Sequence, residues 1–125
     1  MRLLLIDKSA YVRGTITASA DDELCLCAIT RLELLYSTRG AKDYAQLEQD
    51  LAEFRDLRMD AETFATALTA QRELAARGRH RVSLPDLLIA ACAQQHAASV
   101  LHIDRHFETL TDVLAFDAVR ATYTE

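Results

Sequence analysis

Four acids in this chain sit directly beside apolar runs, where a carboxylate without a partner is costly. Asp7 ends the run Leu3 to Ile6 and Asp104 ends Ser99 to Ile103. Glu33 lies among Leu32, Leu34 and Leu35, and Asp86 opens the stretch Leu87 to Ala93. Three or four carboxylates around an open position make a seat for a hard dication, Mg2+ or Mn2+, which prefers oxygen ligands and keeps several waters. Zinc is disfavoured, because no four Cys or His residues stand at convergent spacing. A dication so held lowers the pKa of a bound water, orients it for in-line attack on a phosphodiester and offsets charge on the phosphate oxygens. Without the ion the same carboxylates repel one another, and their pKa values should rise.

The elements that would have to position these acids are legible as patterns. Leu3 to Ile6 and Leu24 to Ile29 are short apolar runs of the kind found in strands covered on both faces, and Ser99 to Ile103 is a third. Ser9 to Arg13 is expected to start a short helix, and Thr30 to Thr38 has helical spacing through Leu32, Leu35 and Tyr36, closed by Gly40. Tyr44, Leu47, Leu51 and Phe54 predict an amphipathic helix over 41–54, with a brief strand at 57–59. Alanine-rich 61–76 is a helix stopped at Gly78, and 83–97 is a buried helix with Ser83 as cap and Pro85 in its first turn. A short helix from Arg105 and a last strand near 113–116 complete the pass. Strands alternating with helices predict an α/β fold with a central parallel sheet flanked by helices, and nothing divides the chain, so 1–125 is expected to be one domain.

In that arrangement Asp7 and Asp104 lie at the carboxyl edge of the sheet, where open α/β folds bind ligands, and Glu33 and Asp86 lie in the first turns of helices rising beside it. Each acid singly also reads as a helix cap. Thr30 to Glu33 has the form of a capping box, and Ser83 to Asp86 nearly so. Capping does not require all four to face one edge, whereas a shared cation does.

The formal charge of −5 argues against a nucleic-acid partner until the four acids are set aside, which leaves 15 acids against 14 bases. Arg72, Arg77, Arg79, His80 and Arg81 form a basic run just before Asp86 that either holds phosphates or is a solvated helix end. Three cysteines, an odd count, with Cys25 and Cys27 on one strand face, are expected to be reduced core thiols in a cytoplasmic protein. The N-terminal apolar run is too short for a signal-peptide core or a membrane span.

With these residues in place, the chain resembles the PIN-domain ribonucleases, and among them the VapC-type toxins of type II toxin–antitoxin pairs. Leu4 to Ser9 resembles the family's opening strand with Asp-x-Ser, and Ile29 to Leu34 its second acidic motif. Pro85 to Ala91 is similar to the third motif and Leu101 to Phe107 to the fourth. The resemblance implies a three-layer PIN fold and an Mg2+ or Mn2+ ion held by Asp7, Glu33, Asp86 and Asp104. It also implies endonucleolytic cleavage of RNA, in many relatives tRNA or rRNA, a homodimer, and a cognate VapB-type antitoxin that blocks the active site. Ser9 and Thr30 would support the ligands by hydrogen bonding; Lys8, Arg79 and Arg81 are candidate RNA-phosphate contacts, with an ion pair to a ligand as the alternative for Lys8. Where relatives often carry Ser or Thr after the first aspartate this chain has Lys8, and it lacks a further aspartate that many carry near His106, which reads as an exposed helix histidine. Two other functions keep an α/β fold of this size. An aspartate-based phosphotransfer domain would need its acids and a lysine at strand ends, and a non-catalytic interaction module would have no use for the intact acid set.

Overall fold

The computed structural model describes residues 1–123. Its centre is a five-stranded, all-parallel sheet in the order β4-β3-β1-β5-β6. The strands are β1 (Arg2–Ile6), β3 (Asp22–Leu26), β4 (Arg55–Asp56), β5 (Ser99–His102) and β6 (Ala118–Arg120). Leu4, Leu5 and Ile6 are fully buried, as a continuous apolar run between two helical layers demands. Successive side chains alternate between the layers: Leu5 joins one core, and Leu4 and Ile6 the other. The first core is closed by α4 (Ala61–Ala76), α5 (Leu84–His96) and α6 (His106–Leu110), through Leu74, Ile89, Phe107 and Leu110. The second is closed by α1 (Lys8–Arg13), α2 (Ala28–Tyr36) and α3 (Ala41–Leu51), through Ala10, Leu34 and Leu51.

The helix ends follow local chemistry. Asp60 caps α4, accepting from Glu62 N–H at 3.1 Å, while the Thr63 hydroxyl receives the Asp60 N–H at 3.0 Å. Gly78, at φ +69°, ends it with Gly78 N–H on the Ala75 carbonyl and Arg79 N–H on the Leu74 carbonyl, a left-handed turn that glycine adopts without strain. Ser83 caps α5 with Pro85 in the first turn, as its sequence predicts.

Three expectations are corrected. The second strand stops at Leu26 rather than running to Ile29, and Cys27, in extended backbone, caps α2. The β-branched pair Ile29 and Thr30 is helical because burial of Thr30 and Leu34 outweighs its local preference for strand. Glu33 therefore lies in the second turn of α2, and no Thr30–Glu33 capping box forms. The brief strand is 55–56, not 57–59. Leu57 instead donates its N–H to Leu26 and buries its side chain. The segment 113–116 is not a strand: Val113 and Leu114 follow α6 in a hydrogen-bonded turn and pack into the core, and the last sheet strand is 118–120. A second, two-stranded antiparallel sheet, β2 (Gly14–Thr15) with β7 (Thr122–Tyr123), was not legible in the pattern. Among the described residues no helix is long and apolar enough to cross a membrane, and Cys25, Cys27 and Cys92 are free and buried.

Candidate active site

The chain runs outward from β1 to β3 and β4, then crosses back to β5 on the other side of β1, so the strand order reverses at the carboxyl end of β1. A crevice opens at such a reversal, and Asp7 stands in it, 3% exposed. The Asp7 carboxylate caps α1: its Oδ2 accepts from the Ser9 N–H at 2.9 Å and the Ser9 hydroxyl at 2.5 Å. The same hydroxyl oxygen accepts the Ile103 N–H at 3.0 Å, which ties Asp7 to the end of β5. Capping and a place in the site are thus combined in one side chain.

Asp7, Glu33, Asp86 and Asp104 line a single cleft of about 320 Å3 together with Lys8, Ser9, Val12, Arg13 and Ser83. Asp86 enters from the first turn of α5, where its N–H faces the Ser83 hydroxyl at 3.4 Å, and the residue is 6% exposed. Burial, a hydrogen bond shared with Asp104, and the negative charges of Asp7, Asp104 and Glu33 push Asp86 up to about 8. Burial works against the charge of Asp104 too, yet the His106 N–H at 3.0 Å, the proton on Asp86 and the nearby His106 and His102 bring it below the usual carboxylate range. Glu33 is half-buried and raised, by burial and then by Asp7, with Lys8 opposing.

His106 is not the free-standing helix histidine its sequence position suggests. It begins α6, and its Nδ1 lies 3.3 Å from Asp86 Oδ2 and 3.6 Å from Asp104 Oδ1. One ligand atom from each of Asp86, Asp104 and His106 falls within a 4.8 Å span, so these three can share an ion. The signal available in the sequence was the two-residue offset from Asp104, which in a turn brings the His106 N–H onto that carboxylate. Thr30 is fully buried, and its hydroxyl faces Cys27 Sγ at 3.7 Å rather than a carboxylate of the cleft. Arg79 pairs with Asp112 at 3.4 Å, and Arg81 is exposed; neither lines the cleft. Arg13, which the sequence did not single out, lines the cleft itself.

Oxygen donors dominate this set, with one imidazole at the edge, a combination suited to a hard or borderline dication. A carboxyl pushed up to about 8, by burial first and then by three other acids, marks a candidate functional position.

Comparison with known proteins is consistent with this geometry. The PIN domain family model matches residues 5–113. The chain is 41% identical over 120 residues to Ribonuclease VapC17 of Mycobacterium tuberculosis, covering 90% of each protein. It is 36% identical over 104 residues to Ribonuclease VapC18 of the same organism, covering 81% of this chain and 76% of that one. In three dimensions it resembles the crystal structure of VapBC-5 from M. tuberculosis, described as a member of the VapBC family of toxin-antitoxin systems. The TM-score is 0.72 at 23% identity, over 97% of this chain and 100% of that one. VapBC-1 from nontypeable Haemophilus influenzae gives a TM-score of 0.76 at 13% identity, over 94% and 97%; at these identities the likeness is one of fold. With a family model spanning most of its length, close relatives named as VapC ribonucleases and four acids converging on one cleft, the chain belongs to the PIN-domain family, among its VapC ribonucleases.

Proposed function

We propose that the protein is an Mg2+- or Mn2+-dependent endoribonuclease that cuts RNA in this cleft and serves as the toxin of a toxin–antitoxin pair. The observation that carries this is the convergence of Asp7, Glu33, Asp86 and Asp104 on one cleft, with Asp86 pushed up to about 8 by burial first and then by the other three. Asp7, Asp86 and Asp104 would hold the ion, with His106 within reach of the last two. When bound, a dication supplies water of lowered pKa and neutralises charge on the phosphate.

The chain's own residues do the rest. Ser9 fixes the Asp7 carboxylate in one orientation by donating twice to Oδ2, the support that a ligand needs to keep its geometry. Glu33, raised by burial and by Asp7, is suited to take the proton of the attacking water, because a base works best when its pKa approaches the working pH. Lys8 lines the cleft close enough to Glu33 for its charge to favour the carboxylate form. The relatives' names and the VapBC structures support an antitoxin partner of the VapB type, and the family resemblance supports a homodimer, which sedimentation of the purified chain would measure.

The test is cleavage of total cellular RNA by the purified protein with Mg2+, with Mn2+ and with a chelator, beside Asp86→Asn. Fragments that need the metal and vanish in the variant are expected. No cleavage under any metal, by either protein, would replace this reading with that of a binding module.

A further inference from the structure

A cleft lined by four carboxylates faces a difficulty with its own substrate: RNA is a polyanion, and even a bound dication leaves the cluster short of neutral. Positive charge has to come from side chains that are not consumed by the carboxylates. Among the residues lining the cleft the cations are Lys8 and Arg13, at the two ends of α1. The two differ in what they face. Lys8 lies near Glu33, whose carboxylate it stabilises. Arg13 forms no ion pair or side-chain hydrogen bond among the described residues, whereas Arg2, Arg31, Arg55, Arg58, Arg79 and Arg120 each pair with an acid. Arg39, Arg72, Arg77, Arg81 and Arg105 are also without an ion pair there, but none of them lines the cleft.

Arg13 is also held in place by its backbone. It is the last residue of α1, and Gly14 caps that helix by donating its N–H to the Ala10 carbonyl before entering the strand paired with Tyr123. A Cβ on Gly14 would lie 2.8 Å from the Ala10 oxygen and 3.0 Å from Ile103 Cδ1, so this close approach admits only glycine. The turn thus sets Gly14, the residue after Arg13, against Ile103, which directly precedes Asp104. The helix rises by roughly 7–8 Å from Lys8 to Arg13, enough to separate the reacting phosphate at the carboxylates from a neighbouring one along the strand.

Resting on the nuclease reading of this cleft, we propose that Arg13 is a substrate-positioning residue that grips an RNA phosphate flanking the scissile one, through the planar fork of its guanidinium. An unpaired arginine lining a carboxylate cleft is suited to this because it offers several fixed donors to phosphate oxygens and never loses its charge.

The experiment measures binding of a single-stranded oligoribonucleotide to the Asp86→Asn protein as a function of salt, in the presence of Mn2+. It compares Arg13, Arg13→Ala and Arg13→Lys in that background, with Arg39→Ala as an exposed control. Arg13→Ala is expected to weaken binding about tenfold or more and to lower the slope of log affinity against log salt by about 0.7, the loss of one phosphate contact. Arg13→Lys should restore the slope and only part of the affinity, and Arg39→Ala should change neither. In the otherwise native enzyme, Arg13→Ala should raise KM much more than it lowers kcat. Unchanged affinity and slope in Arg13→Ala would overturn the assignment, and so would failure of the Asp86→Asn protein to bind the oligonucleotide at all. If the native protein cuts RNA while Arg13→Ala binds normally, the nuclease reading stands and the assignment falls. If it cuts nothing while Arg13→Ala loses binding, Arg13 holds an RNA phosphate but the nuclease reading falls, and with it the place of that phosphate beside a scissile one.

Discussion

Asp86 is pushed up to about 8 in the metal-free protein by burial first, then by its hydrogen bond with Asp104 and the charges of Asp7, Asp104 and Glu33. In the unfolded chain the same carboxyl ionises near its usual 3.8, and in the fold near 8. A raised pKa means that the folded state holds the proton more tightly. The stability this group contributes is complete below about pH 4 and is lost as pH rises through about 8. Asp104 is lowered and acts in the opposite sense, contributing stability that disappears as the solution becomes strongly acid. Asp86→Asn, which preserves shape and cannot ionise, should therefore leave the metal-free protein at least as stable near neutrality. Above pH 8 it should be more stable than the native sequence, by an amount on the order of a few kcal/mol. Thermal unfolding with chelator across pH 5 to 9 reads this; a capping role alone predicts no such crossing. Ser9→Ala removes the hydroxyl that links Asp7 Oδ2 to the Ile103 N–H. It should cost about 1–3 kcal/mol in urea unfolding, because a buried N–H loses its acceptor, and it should weaken Mn2+ binding in a titration.

Two short elements set the geometry of the cleft more than their length suggests. Helix α1 has six residues, yet it carries Lys8, Ser9, Val12 and Arg13 to the cleft and is capped by Asp7 itself. Its close contact with β5 passes through Gly14, so Gly14→Ala should destabilise by about 1–3 kcal/mol. The added methyl meets backbone at the Ala10 carbonyl, and forcing atoms into a tight contact carries that cost. Since φ at Gly14 is −101°, the cost comes from crowding and not from backbone strain. Gly78, which opens onto free space at φ +69°, should lose stability on change to alanine for the opposite reason. Urea midpoints of the two variants measure both effects. At α5, Ser83 and Pro85 fix where the helix begins and hence where Asp86 enters the cleft.

At the scale of the molecule, the parallel sheet brings together acids that are 97 residues apart in sequence, because β1 and β5 are neighbours and end at the same edge. Four carboxylates at one edge destabilise the fold unless charge is supplied, so metal binding and folding should be linked. Adding Mn2+ should raise the unfolding midpoint more at pH 8 than at pH 5, because at lower pH the ion must displace the proton from Asp86. Binding near pH 7 should release protons, measurable by calorimetry in buffers of different ionisation enthalpy, and Asp86→Asn should abolish most of that release.

What the sequence determined by itself was which acids stand beside apolar strands and capped helix starts, and the sheet edge at which they meet. Acids placed directly after apolar strands, or in the first turns of capped helices, are fixed to the sheet edge by local hydrogen bonding and by the two-residue alternation of buried strands. Asp7, Asp86 and Asp104 were therefore legible as a set. The α4 and α5 helices, their stops and the three central strands were legible for the same reason. Where local preference and burial disagreed, only the tertiary structure could decide. Ile29 and Thr30 favour strand by propensity but are helical because α2 must bury Thr30 and Leu34 against the sheet. Val113 and Leu114 have the apolar character of a strand, yet the edge position beside β5 goes to Ala118–Arg120. The contact of His106 with Asp86, and the place of Arg13 in the cleft, depend on how α6, α5 and α1 pack around β5. Such contacts arise from long-range packing, which no spacing along the chain encodes.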